Sequence, residues 1–87
     1  MYHFFIWFLD KTLLKTYTIK YDYARHNYFI YKNKRFDVVQ SFLVCRTSEK
    51  CFRLTVYNDG IIFYKSFRSA RFCANFINTF VRENQTI

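Results

Sequence analysis

Two histidines, His3 and His26, are the side chains that could exchange protons near neutral pH. Six carboxylates accompany them: Asp10, Asp22, Asp37, Glu49, Asp59 and Glu83. No two of these groups share a motif that demands general acid–base chemistry. The cysteines, Cys45, Cys51 and Cys73, combine with His26 in no zinc-ligand spacing. The expectation is a protein that is not an enzyme, holds no metal and uses no cofactor. An odd number of cysteines argues against a complete disulfide framework, although Cys45 and Cys51 flank a loop and could approach each other. Cys73 falls on an apolar stripe and reads as a small buried hydrophobe. A reducing, cytoplasmic setting follows as an expectation.

What remains is binding chemistry. The chain carries 14 basic and 6 acidic residues, a net charge of +8, and such a field draws in polyanions. It also carries 12 phenylalanines and 8 tyrosines, too many for one small core to hide them all. Aromatic residues, Tyr64 among them, are interleaved with Lys20, Lys32, Arg53 and Lys65. Single-strand binders combine residues in this way, with cations following the phosphates and rings stacking on bases. The same rings suit strand propensity and core packing, with the lysines solvating the outside. A second basic group is the Lys32-Asn33-Lys34-Arg35 stretch, read as a turn with Arg25 and His26 near it in sequence. A third is the pair Arg68 and Arg71 at the start of a helix, suited to phosphates or a partner's carboxylates. No RNP-type aromatic signature, helix-turn-helix spacing or zinc-finger spacing is present.

The elements that must position these groups are clearest from residue 51 onward. Phe52, Leu54 and Val56 alternate with Arg53 and Thr55, the period of a half-buried strand. Asn58-Asp59-Gly60 holds the only glycine and suits a tight turn. Ile61 to Tyr64 is β-branched and aromatic. Pairing Val56 with Ile61 sets Leu54 against Phe63 and keeps Lys65 off the apolar row; a two-residue Asp59-Gly60 turn would set Leu54 against Lys65 instead. The first register is the expectation. After Ser66 the period lengthens. Phe67, Ala70, Cys73 or Ala74, Ile77 and Val81, with Phe72, Phe76 and Phe80 beside them, form a helical stripe capped by Ser66 or Ser69. Arg68 and Arg71 in the first turns and Glu83 in the last oppose the helix dipole, so the stripe must hold the helix.

Upstream, the run MYHFFIWFL is almost wholly apolar; periodicity cannot decide its type, and its aromatic and β-branched content favours a strand. Tyr17, Ile19, Tyr21 and Tyr23 alternate with Thr16, Thr18, Lys20 and Asp22, the cleanest strand pattern in the chain. A bulge is expected near Gln40-Ser41. The whole reads as one α+β domain over 1–87: an antiparallel β-meander of about five strands packed against one C-terminal α-helix. Strands are expected near 2–9, 14–23, 28–31, 36–45, 51–57 and 61–65, with the helix near 67–83.

The chain is thus expected to be a small basic binding protein whose partner is nucleic acid. The alternative is a phage- or virus-encoded inhibitor, of the anti-CRISPR type for example, that covers an acidic or nucleic-acid-binding surface of a host defence enzyme. A composition rich in Lys, Asn, Ile, Phe and Tyr is common in small phage and viral genes. A homodimer would also cover exposed aromatics. The run Phe4 to Leu9 is too short to span a membrane, and it lacks the basic flank and cleavage site of a signal peptide.

Overall fold

The hairpin at Asp59-Gly60 sets the register of the molecule. Asp59 has φ of 48° and Gly60 of 87°, so both central residues of a two-residue turn are left-handed. That geometry matches the natural twist of paired strands. It pairs Asn58 with Ile61, Val56 with Phe63 and Leu54 with Lys65. The expected register, with Val56 opposite Ile61, is therefore wrong by two residues, and Lys65 does stand on the apolar row. Its long stem resolves the conflict: the ammonium lies 4.6 Å from the centroid of the Phe76 ring and 5.8 Å from that of Phe67.

The computed structural model describes residues 2–34, 37–48 and 51–84, with side chains at 5–32, 38–48 and 51–84. Five strands follow the chain in an antiparallel meander of order β1-β2-β3-β4-β5. They are β1 (Thr18–Asp22), β2 (Asn27–Lys34), β3 (Asp37–Ser48), β4 (Cys51–Asn58) and β5 (Ile61–Phe67). Three helices accompany them: α1 (Tyr2–Trp7), α2 (Lys11–Thr16) and α3 (Ala70–Glu83). The α+β meander with a C-terminal helix is as the sequence predicts. Its radius of gyration, 12.2 Å, is that of a compact chain of this length, about 12 Å.

Several boundaries differ from expectation. Within the run at 2–9, Tyr2–Trp7 forms the helix α1 and not a strand, and 14–16 belongs to α2 rather than to a strand. The reason lies in spacing and in area. Phe5, Leu9 and Leu13 recur every fourth residue, and all three are buried. A helix is about 10 Å across, whereas five strands spaced ~4.8 Å apart span roughly 19 Å. One helix covers half of such a sheet, and α1 and α2 supply the rest. The turn expected at Lys32–Arg35 is not a turn at its first three residues: Lys32, Asn33 and Lys34 continue β2, and Arg35 lies outside the described residues. The bulge falls at Val39, one residue before the expected place, since Lys32 pairs with Gln40 and Asn33 with Val38. A second irregularity leaves Thr47 unpaired in β3.

The core lies on one face. Row by row it reads Ile19, Ile30, Phe42, Val56, Phe63, then Tyr21, Tyr28, Val44, Leu54, Lys65. Cys73, Ala74, Ile77 and Val81 of α3 and Phe5, Leu9 and Leu13 from the N-terminal helices bury against these rows. Ser69, not Ser66, caps α3 by accepting the Phe72 N–H at 3.1 Å. Phe67 ends β5 instead of opening the helix. Asn78, buried on the helix, accepts the Asp10 N–H at 2.9 Å and donates to the Phe8 carbonyl at 2.7 Å. These two bonds clasp the α1–α2 junction to α3, and Arg82 reinforces them with an ion pair to Asp10 at 3.2 Å.

Burial of Cys73 sets an alkaline limit. The thiol is fully buried, and desolvation pushes its pKa from 9.0 to about 12. A folded-state value above the unfolded one means that the native state holds the proton longer. The associated stability is complete below the unfolded pKa and is lost as pH rises toward 12. Tyr17, raised by the same cause, adds in the same direction. Denaturant titrations are therefore expected to show stability falling from about pH 8 toward pH 11, with a shallower fall in Cys73→Ala. Equal slopes in the two proteins would refute the assignment.

Candidate nucleic-acid interface

The meander presents a second face, on which no described element lies. Parity follows from the registers. Lys20, Phe29, Leu43, Thr55 and Tyr64 form one row across the five strands, and Thr18, Tyr31, Ser41, Tyr57 and Ile62 form the next. Strands normally carry polar residues on a solvent face. Here four of the ten positions in these two rows are aromatic, Phe29, Tyr31, Tyr57 and Tyr64, and their rings are partly or mostly exposed; Tyr64 is 64% exposed. Phe29 and Tyr31, two residues apart on β2, stack with centroids 5.0 Å apart.

Two cations complete the surface. The Lys20 ammonium sits 5.8 Å from the Tyr31 centroid, and the Arg53 guanidinium 5.3 Å from that of Tyr64. Each pair sets a positive charge beside a flat ring, one near β1 and β2, the other on β4 and β5. Strands spaced ~4.8 Å apart place the ring groups of β2 and β5 roughly 14 Å from each other. Asp22 shares this face but is engaged at the β1–β2 turn. Its Oδ1 accepts the Ala24 and Arg25 N–H groups at 3.0 and 3.3 Å, and its Oδ2 lies 3.9 Å from the Arg25 Nε.

The expected site residues do not all converge. Lys20, Arg53 and Tyr64 share the open face. Lys32 and Lys65 lie on the helix-covered side, Lys32 with its ammonium 5.9 Å from the Tyr17 ring. Arg25 is in the turn beside Asp22. Arg68 follows β5, and Arg71 stands exposed in the first turn of α3. The backbone of Lys34 belongs to β2, and Arg35 lies outside the described residues. Phe29, Tyr31 and Tyr57 were not singled out from the sequence. Their signal is parity with Lys20 and Arg53 once strand pairing is known.

The chain matches no family model, and no curated protein or solved structure matches it.

Among the described residues no three His, Cys, Asp or Glu side chains gather as a metal group. The Cys45 thiol, half-buried on the open face, is raised by burial, an effect partly opposed by the Arg53 charge. An open cavity of about 140 Å³ lies between α2 and α3, and its polar lining includes the Asp10, Asn78 and Arg82 side chains already engaged with one another or with the backbone. At the hairpin end, Tyr17 donates to Gln40 Oε1, and Gln40 Nε2 donates to Asn58 Oδ1 at 3.1 Å. That buried chain satisfies Gln40 and fixes the sheet corner. No helix among the described residues is long and apolar enough to cross a membrane.

Proposed function

We propose that this protein binds single-stranded nucleic acid across the open face of its sheet. The observation that carries the reading is the pairing of rings with cations in two places on one face, half-buried Tyr31 with Lys20 and exposed Tyr64 with Arg53. Rings can stack on bases of any sequence, each worth ~1–3 kcal/mol. Lysine and arginine beside them can meet the phosphates that connect those bases. The net charge of +8 favours encounter with a polyanion. A duplex fits the face less well, because its bases are already stacked and a sheet of rings has nothing to hold.

Fluorescence anisotropy with labelled DNA and RNA oligonucleotides over a range of salt tests the reading. The logarithm of affinity should fall linearly with the logarithm of salt, by about 0.7 for each phosphate neutralised on a single strand. Replacing Lys20 and Arg53 together with alanine should make that slope shallower by about 1.4. Failure to bind any single strand at low salt would end the proposal. An unchanged slope in the double variant would move the site elsewhere.

A further inference from the structure

The two edges of the sheet are not alike. β1 is a five-residue strand that presents Lys20 and Asp22, charges of both signs, to solvent. β5 is seven residues long and holds Ile61, Ile62 and Tyr64 exposed at 66%, 57% and 64%. Long edges with exposed apolar residues are normally blunted, because their unpaired backbone groups accept another strand.

The unpaired groups can be named. In an antiparallel ladder, hydrogen-bonded and non-hydrogen-bonded pairs alternate. Gln40 faces Asn58 across β3 and β4, and the neighbouring Asp59 N–H bonds to the Val39 carbonyl at 3.0 Å. Gln40 and Asn58 are therefore a non-hydrogen-bonded pair, and the backbone groups of Asn58 turn toward β5. Ile61, Phe63, Lys65 and Phe67 then bond inward to β4. Ile62, Tyr64 and Ser66 direct their N–H and C=O groups out of the sheet.

Charge is concentrated at one end of this edge. Lys65 lies on the helix-covered side with Arg71 in the first turn of α3, Arg53 stands opposite Ser66 on the other side, and Arg68 follows the strand. The ion pairs between described residues that involve Asp10 and Asp22 use Arg82 and Arg25 instead. We infer that the β5 edge is a docking site for an extended acidic segment of a partner protein, added to the sheet as a sixth strand. Its backbone would pair with Ile62, Tyr64 and Ser66, carboxylates on its helix-side face would meet Lys65 and Arg71, and apolar side chains on its other face would cover Ile62. Nucleic acid is a poor occupant of this edge, since phosphates accept hydrogen bonds but cannot also donate to the outward carbonyls. A second copy is also poor. It brings a like charge of +8, and pairing about Tyr64 sets each Lys65 against a Phe63 with no carboxylate to meet it. A lysine on the inner side of an edge strand is a known deterrent to such self-pairing.

The edge shares Arg53 and Tyr64 with the open face, and the amide readout separates the two readings, because stacking on the rings makes no hydrogen bond to the outward backbone groups. The inference is tested with a short labelled peptide alternating valine and glutamate, and a counterpart with lysine for glutamate. The acidic peptide should bind the full chain at least about tenfold tighter than the basic one. It should also slow amide hydrogen exchange at Ile62, Tyr64 and Ser66. Ser66→Pro removes one outward donor without touching the inward ladder and should weaken binding by about tenfold. Lys65→Glu, which leaves the backbone intact, should reverse the preference between the peptides. Binding without protection of these three amides would overturn the inference. So would their protection by a second copy at high concentration, or by a single-stranded oligonucleotide.

Discussion

A chain carrying both Phe29→Thr and Tyr64→Thr is expected to bind single-stranded oligonucleotides at least about thirtyfold more weakly than the parent. The figure comes from two lost stacking contacts at ~1–3 kcal/mol each, or ~2–6 kcal/mol together, and 2 kcal/mol is already close to thirtyfold. Threonine is the informative replacement, because it keeps strand propensity while deleting the ring. Neither residue belongs to the buried core, so the circular dichroism spectrum should not change. The salt slope should also hold, since rings neutralise no phosphate. A weakened affinity with a constant slope would separate stacking from charge. If affinity changes less than twofold, the aromatic face is not the platform, and the proposal falls with it. Each single variant measured beside the double tests whether the two ring groups act as independent sites.

The second large effect concerns stability. Phe42→Ala is expected to lower the unfolding free energy by ~3–5 kcal/mol. Phe42 lies on the central strand with no exposed surface, in the row joining Ile30 to Val56. Its ring meets Phe80 edge-on at 5.8 Å between centroids and Tyr17 at 6.3 Å. A domain of this length has roughly 4–13 kcal/mol to lose, so the variant should sit near the limit of folding. Phe72→Ala is the contrast. That ring is 65% exposed on α3, and its removal should change stability by less than ~0.5 kcal/mol. Urea denaturation of both variants, compared at constant m-value, measures the difference. Similar midpoints for the two would mean that the helix lies on a different face of the sheet.

The carboxyl-terminal third was legible because its local signals agree. Alternation at Phe52, Leu54 and Val56, a lone glycine, and a stripe through Cys73, Ile77 and Val81 each specify one structure. The register was not legible, since it depends on turn type. Asn58-Asp59-Gly60 contains two overlapping turns, and avoiding an apolar-row lysine pointed to the wrong one. Lys65 is tolerated through Phe67 and, more closely, through Phe76 of α3, whose placement over this row depends on tertiary packing. The amino-terminal run was apolar at nearly every position, so neither period stood out. Only the width of the finished sheet, too great for α3, demands more helix. The open face was hidden for a related reason. Along Tyr28, Phe29, Ile30 and Tyr31 both parities are apolar, and the buried pair is chosen by which side the helices take. Of the cations expected to act together, Lys32 and Lys65 were separated from Lys20 and Arg53 by parity.

The clasp between the Asp10–Phe8 junction and Asn78 spans 68 residues of chain, whereas every strand pair in the meander joins neighbours in sequence. Zippering of adjacent strands closes only short loops, so it proceeds quickly and in either direction along the chain. Bringing the amino-terminal helices onto α3 requires the longest closure and depends on a surface that the other elements must first assemble. The clasp is therefore expected to form last in folding and to open first in the native state, uncovering the Phe5–Leu9–Leu13 seam; slower amide exchange at Asp10 than in the β2–β3–β4 ladder would contradict this.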